Sequence, residues 1–212
     1  MNKPKYWLYR HGNIPFRGDY LQAKLETPIE HDDNRLCHFK QGDKTFTIKS
    51  PAQVESFGKE FELTYSINPN HPTPDYYPES YSFDLYSERL INLVDKFGVK
   101  FEHFPVKLID KKGKPINNLK YNIFHFMEDV VDGMDQEKSE WVGDFHIGIP
   151  RLVLDYNKFE HRPMILLDHL YIRLIRDDLK QEIIKLGITG FGFLDPLKYR
   201  SGKYGFPPNF ED

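Results

Sequence analysis

Four prolines fall within a single passage of this 212-residue chain, and they set the first constraint on its fold. The passage is INPNHPTPDYYPES, residues 67–80. Proline fixes φ and has no backbone N–H. A run with this many prolines therefore opposes both a helix and a regular strand ladder. We therefore predict an N-terminal portion at 1–66, a connector or ordered loop at 67–80, a C-terminal domain at 81–200 and a tail at 201–212.

The N-terminal portion carries strand signals and one helix signal. Alternating or apolar runs predict strands at residues 5–10, 45–49 and 60–66. Ser50 and Pro51 suit an N-cap and a first helical position, and Gln53 completes a capping box. A short helix is therefore expected from there to about Phe57.

The C-terminal portion shows two amphipathic helices. Residues 87–97 place their apolar side chains on one face and stop before Gly98, and residues 177–186 stop before Gly187. Strand signals lie at 100–110, 121–131, 151–155, 164–167, 171–175 and 188–194. Strands that cluster between helices, rather than alternating with them, predict an α+β fold with a largely antiparallel sheet.

Composition excludes several classes of protein. A chain of this length can bury its own core, and a single cysteine, Cys37, excludes an internal disulfide or a multi-cysteine zinc site. The net charge is −3 and no Lys/Arg stripe stands out, which argues against a nucleic-acid partner. The apolar runs are too short for a signal peptide or a membrane span, so we expect a cytoplasmic protein with no membrane partner.

The triplet Arg10-His11-Gly12 follows an apolar strand, as it does at the start of histidine phosphatases. Those enzymes need a hydroxyl or acidic residue soon after the glycine and a second His-Gly step, and the sequence has neither. They also use a parallel sheet. We therefore interpret the triplet as an exposed strand end, and keep a phosphoester hydrolase using Arg10 and His11 as the alternative.

An acidic stretch, MEDVVDGMDQEKSEW, occupies residues 127–141. Its spacing, with Asp129, Asp132 and Asp135 three apart, does not match the calcium-binding loop of an EF-hand. Asp132 and Asp135 flank Gly133, which predicts a tight turn. An acidic face that meets a basic partner is the second interpretation, and metal binding is the third.

Other polar groups give no catalytic or metal-binding pattern. Three possible metal donors lie close in sequence, but in a polar, loop-like stretch where such groupings arise by chance: His31, Cys37 and His38. Structural roles are expected for His125 and His146, which lie in or beside predicted strands. No partner can be assigned from spacing to Ser139 or Ser201. We therefore predict no catalytic residue, no metal and no cofactor.

Residues 80–195 resemble a family of immunity proteins from bacterial polymorphic toxin systems, formerly a family of unknown function. The likeness lies in the order of YSFDLYSERLINLVDKFGVKFEHFPVKLIDKKGK, KYNIFHFMEDVVDGMDQEKSEW, RLVLDYNKFEHRPMILLD and DDLKQEIIKLGITGFGF. The first 70 residues are less similar, and the cysteine usual in the Asp-x-x-Asp turn is Gly133 here.

The resemblance implies a protein that binds and neutralises a cognate toxin, often a nuclease, in the producing cell, and that catalyses nothing. Binding would use aromatic anchors surrounded by charge. The candidate partner-binding residues are Asp132, Asp135, Glu137, Glu140 and Trp141. A structural or regulatory binding module without a toxin remains a further alternative.

Overall fold

The computed structural model of the chain describes residues 6–11, 23–26, 30–31, 37–41, 43–48, 62–70, 72–77, 84–142, 148–168 and 172–200. Within these ranges it contains two α-helices, α1 (Glu88–Lys96) and α2 (Asp177–Lys185), and strands in five sheets. All strand pairings there are antiparallel except one. The predicted α+β class with largely antiparallel pairing is confirmed, although the strands form several sheets.

The strands are numbered in chain order. They are β1 (Tyr6–His11), β2 (Lys24–Leu25), β3 (Glu30–His31), β4 (Cys37–Gln41), β5 (Lys44–Ile48), β6 (Thr64–Ser66), β7 (Tyr76–Tyr77), β8 (Asp84–Ser87), β9 (Phe101–Pro105), β10 (Lys107–Ile109), β11 (Tyr121–Phe126), β12 (Glu140–Val142), β13 (Gly148–Arg151), β14 (Met164–Leu166), β15 (Arg173–Arg176) and β16 (Phe191–Leu194). Single turns of 3-10 helix lie at Tyr156–Lys158 and Pro196–Lys198.

Backbone contacts divide the chain into two compact units, each assembled from separate stretches of sequence. The first unit comprises Met1–Ile14, Phe97–Val99 and Asp129–Asp212, and the second comprises Pro15–Lys96 and Lys100–Glu128. This division does not follow the consecutive portions expected from the sequence. Periodicity shows which residues face a core but not which distant strand completes a sheet.

The first unit is built on a four-stranded antiparallel sheet in the order β14-β15-β1-β16. β1 is a central strand, with Leu8 opposite both Leu174 and Leu194. One core cluster of this unit consists of buried side chains from its strands and loops: Tyr6, Leu8, Val131, Met134, Ile149, Leu152, Leu154, Phe159, Ile165, Leu167, Leu174 and Leu194. Helix α2 follows β15 directly and buries Leu179 and Ile183.

The second unit contains the antiparallel sheet β7-β8-β11-β9 and a smaller sheet β10-β6-β2. Its core cluster includes Leu63, Tyr65, Leu85 and Ile123. Helix α1 begins where the Ser87 hydroxyl accepts a hydrogen bond from the Leu90 N–H (3.3 Å), and its Leu90, Ile91, Leu93 and Val94 are buried. Both predicted helix ends are confirmed, because Gly98 and Gly187 follow with φ of 74° and 60°.

Several predicted strand bounds were wrong. Residues 100–110 form two strands in different sheets, because the chain leaves β11 after Pro105 and β10 runs parallel to β6. The strand predicted at 121–131 ends at Phe126. Of 151–155, Arg151 ends β13 and the rest makes only a bridge between Leu154 and Met134.

The proline-rich passage also contains regular structure. Tyr76 and Tyr77, between two of its prolines, pair with β8 as β7, so the expectation of no strand ladder was wrong there. The helix predicted at 50–57 and the tail at 201–212 lie outside the described residues. Neither α1 nor α2 is long and apolar enough to cross a lipid bilayer.

Candidate protein-binding surface

Residues 129–141 of the acidic stretch lie in the first unit and are held to its core by backbone hydrogen bonds on both sides of Gly133. Before the glycine, Val131 donates to the Leu166 carbonyl and accepts from the Asp168 N–H, both at 2.9 Å. These bonds join the stretch to the end of β14. Its course is therefore fixed by pairing with a core strand.

After the glycine, the stretch pairs with the segment that follows β13. The Asp135 N–H donates to the Val153 carbonyl and the Asp155 N–H donates to the Gly133 carbonyl, both at 2.9 Å. Ser139 adds a second connection, since its hydroxyl lies 3.0 Å from both the N–H and the carbonyl oxygen of Val153. The backbone that carries the carboxylates is thus fixed at both ends of the turn.

Gly133 lies where the turn packs closely on the core. A Cβ at this position would lie 2.7 Å from Leu167 Cδ2 and 2.8 Å from Phe159 Cε1. Those distances are shorter than van der Waals contact between carbon atoms. The glycine is therefore required by close packing, which adds a reason to the turn predicted from the sequence.

Asp135 organises the turn from its start. Its Oδ1 accepts hydrogen bonds from the N–H groups of Glu137 (3.2 Å) and Lys138 (3.1 Å), and its Oδ2 lies 2.6 Å from Lys138 Nζ. The Lys138 ammonium, assisted by the backbone N–H groups, holds the pKa of Asp135 below its usual range. The Asp135 side chain is only 19% exposed, and its oxygen atoms already bind groups within the turn rather than being left for a partner.

Asp132 and Glu140 each have a cation from another part of the chain nearby. Lys158 Nζ lies 3.0 Å from Asp132 Oδ2, and Arg151 Nη1 lies 4.0 Å from Glu140 Oε1. Glu140 lies opposite Arg151 in the β12–β13 pair. Both carboxylates are exposed and remain accessible to solvent.

Glu137 is the most available carboxylate of the predicted set. It is exposed, and in the part of the chain that the structure describes no cation lies within ion-pair distance of it. Its charge acts on Lys138 through longer-range attraction. Trp141 differs from the others, because it is partly buried and packs against the core cluster of the first unit.

The five predicted residues are close in sequence, and the structure adds three cations to them. Lys138 was visible within the acidic run, but Lys158 and Arg151 come from later segments and no short-range pattern marks them. Three of the four carboxylates have a cation within 4.0 Å. The surface is therefore a mixed network of charges with an accessible acidic tip at Glu137.

Arg10 and His11 of the phosphatase triplet lie on β1, opposite Gly192 and Phe191 in the register. β1 is flanked on both sides by antiparallel strands, whereas the phosphatase interpretation expects a parallel sheet. The side chains of Arg10 and His11, and Gly12 itself, lie outside what the structure describes.

Backbone pairing places His31 opposite Cys37, and His38 opposite Glu30, but their side chains are also outside the described set. Among the described residues no group of three or more His, Cys, Asp or Glu is arranged to hold a metal ion. His125 is buried, with Nδ1 3.3 Å from Glu102 Oε2, as expected of a structural histidine. His146 and Ser201 are not described.

Comparison with known proteins does not assign the chain to a group. No protein-family model matches it, and no curated protein sequence is significantly similar.

Proposed function

We propose that the chain is a non-catalytic immunity protein that binds a cognate bacterial toxin in the cytoplasm of the producing cell and neutralises it. The order of motifs across residues 80–195 supports this proposal by resemblance. The structural observation that carries it is the fixed segment from Asp132 to Trp141, whose backbone is hydrogen-bonded to the core on both sides of the turn. A surface formed before binding loses little conformational entropy when the partner arrives.

The side chains on this segment suit recognition of a basic protein. Glu137 and Glu140 are exposed at its tip and edge, and the partly buried Trp141 lies beside them in sequence. Charges at the rim of an interface chiefly raise the association rate and select the partner, while a packed aromatic ring near the centre slows dissociation. Lys138, Lys158 and Arg151 would limit repulsion among the carboxylates in the free protein.

The first experiment asks whether the chain neutralises a toxin at all. The gene beside its own is expressed in a heterologous bacterium with and without this chain, and growth is measured. We expect growth arrest by the neighbour alone, rescue on co-expression, and recovery of a stoichiometric complex. The immunity function would be contradicted if the neighbouring gene product did not arrest growth, or if it arrested growth and co-expression of this chain did not restore it.

The second experiment tests the surface. Glu137→Lys and Glu140→Lys together should lower the association rate with that toxin by roughly tenfold at low ionic strength, with a smaller effect at high salt. Glu88→Lys is a matched control for Glu140→Lys. Each glutamate side chain is 63% exposed, and each has one basic nitrogen at 4.0 Å. Equal rates for wild type, double variant and control would remove this surface from the proposal.

The alternative enzyme function has its own assay. Hydrolysis of a generic phosphoester by the purified chain, abolished by His11→Ala, would replace the immunity proposal with a phosphatase. Activity that His11→Ala leaves unchanged would instead indicate a contaminant.

A further inference from the structure

Residues 110–116 in the second unit form a turn whose backbone is fixed by one aspartate. Asp110 Oδ1 accepts hydrogen bonds from the N–H groups of Lys112 (2.8 Å) and Lys114 (2.9 Å). The Asp110 N–H donates to the Lys114 carbonyl (2.8 Å) and the Gly113 N–H donates to the Asp110 carbonyl (2.9 Å). Gly113 has φ of 78°, which glycine adopts without strain. These bonds hold the tip in one conformation.

Three lysines project from this turn. Lys111, Lys112 and Lys114 are exposed, and among described residues none of their ammonium groups has a carboxylate within 4 Å. The lysines that flank the turn differ, since Lys107 lies 2.6 Å from Glu62 and Lys120 lies 4.0 Å from Glu88. The tip therefore concentrates three unpaired positive charges.

Asp110 does not neutralise the tip by direct pairing. Hydrogen bonds from the backbone N–H groups of Lys114 and Lys112 hold the pKa of its carboxyl below its usual range. One of its oxygens is thus engaged with the backbone rather than with an ammonium group. Its negative charge still attracts Lys112 and Lys114 at longer range, but it leaves their donors available to a partner.

We propose that this lysine turn, Lys111–Lys114, is a docking surface for a carboxylate-rich surface of another protein. Its three ammonium groups offer nine N–H donors on a rigid backbone, and ammonium–carboxylate pairs at a rim steer association. The inference goes beyond the immunity function and does not require it. If the partner is the toxin, this turn contacts an acidic region of it, whereas Glu137 and Glu140 contact a basic one.

The chemistry of the turn favours a protein over a nucleic acid or a membrane. Residues 107–120 contain no arginine and no aromatic ring, which are the groups that bind phosphate bidentately and stack on bases. The Lys112 and Lys114 N–H groups, which could otherwise hold a phosphate, already bind Asp110.

The test is an NMR titration of the ¹⁵N-labelled chain at low ionic strength with three probes: a poly-glutamate peptide, duplex DNA and vesicles containing phosphatidylserine. We expect poly-glutamate to shift the amide resonances of residues 110–115, and added salt to reverse the shifts. The triple variant Lys111→Gln/Lys112→Gln/Lys114→Gln should bind poly-glutamate about tenfold more weakly.

A control variant removes the same net charge elsewhere: Lys24→Gln, Lys96→Gln and Lys185→Gln, three exposed lysines outside the turn. It should bind poly-glutamate as the wild type does. Equal weakening in both triple variants would show that only net charge matters and would overturn the proposal. A larger response of the turn to DNA or to vesicles would also overturn it. Because none of these probes is the toxin, the result is independent of the growth-rescue assay.

Discussion

Replacing Gly133 with alanine should destabilise the first unit by about 1–3 kcal/mol, the range for adding a methyl group to a packed core. The added Cβ would lie 2.7 Å from Leu167 Cδ2 and 2.8 Å from Phe159 Cε1. The backbone of Gly133 is not in the left-handed region, so the cost would arise from packing and not from φ. A cysteine at this position would add more atoms than alanine and cost more.

The size of the effect depends on whether the two neighbours can move. Leu167 and Phe159 are 1% and 2% exposed. The Phe159 ring packs edge-on against Tyr6 at 4.9 Å between centroids, and against Tyr156 at 5.8 Å between centroids. Because Phe159 is held from two directions, we expect Leu167 to shift. For a chain of this length the melting temperature should fall by roughly 2–12 °C.

A double-mutant cycle identifies the cause. Urea unfolding of Gly133→Ala, Leu167→Val and the combination should show that the combined loss is smaller than the two single losses together, by at least about 0.5 kcal/mol. Gly113→Ala is the control, since its added Cβ meets open space while its φ is 78°. It should lose about 1–2 kcal/mol from backbone strain, and Leu167→Val should not relieve that loss. A Gly133→Ala protein as stable as wild type, or strict additivity with Leu167→Val, would refute the close-packing account.

Three further perturbations test buried polar groups. Burial raises the pKa of Tyr6 from 10.0 to about 12, so its neutral form contributes stability that is complete below pH 10 and is lost as pH rises to 12. The free energy of unfolding is measured in urea at pH 10 and at pH 12 for wild type and for Tyr6→Phe. Its decrease between the two pH values should be smaller in Tyr6→Phe, by up to about 3 kcal/mol, and equal decreases would contradict the raised pKa of Tyr6. Arg89→Met should cost more than Asp75→Asn, by about 1 kcal/mol in urea unfolding. Arg89→Met leaves the buried Asp75 carboxylate without its guanidinium, whereas after Asp75→Asn the Arg89 side chain, 54% exposed, stays hydrated. Ser139→Ala should cost about 1–3 kcal/mol by thermal unfolding, since it removes both hydrogen bonds to Val153, and a loss below 0.5 kcal/mol would mean that water replaces the hydroxyl.

Local features of the fold were predictable from the sequence because their causes are local. Ser87 at the start of α1, and Gly98 and Gly187 after the two helices, mark elements through capping and backbone conformation. The apolar run at β1 was likewise visible, as was its end near Arg10. In each case, residues within a few positions determine the structure.

Strand pairing was not predictable, because it depends on residues far apart in sequence. β1 lies between β15 and β16, more than 160 residues away, and periodicity alone cannot select those neighbours. The same limit explains the wrong interpretation of residues 100–110. Their apolar run predicts one strand. In the structure, however, Phe104 pairs with Ile123, and Leu108 pairs with Tyr65 in another sheet.

The two charged turns explain why a count of charges along the sequence misjudges a surface. The acidic run looks strongly negative, but Lys158 and Arg151 approach its carboxylates from elsewhere. The lysine turn looks partly neutralised by Asp110, but that carboxylate binds backbone N–H groups, and within the described ranges no carboxylate pairs with the three ammonium groups. The charge that a partner meets depends on which groups the oxygen atoms already bind. Glu137 has no cation close to it among the described residues, whereas Asp132 has Lys158 at 3.0 Å. Reversing the charge of Glu137 should therefore alter binding of the proposed toxin more than reversing that of Asp132. Association rates for these two variants, measured at the same ionic strength, decide between pairing and simple charge count, because a simple count requires them to be equal.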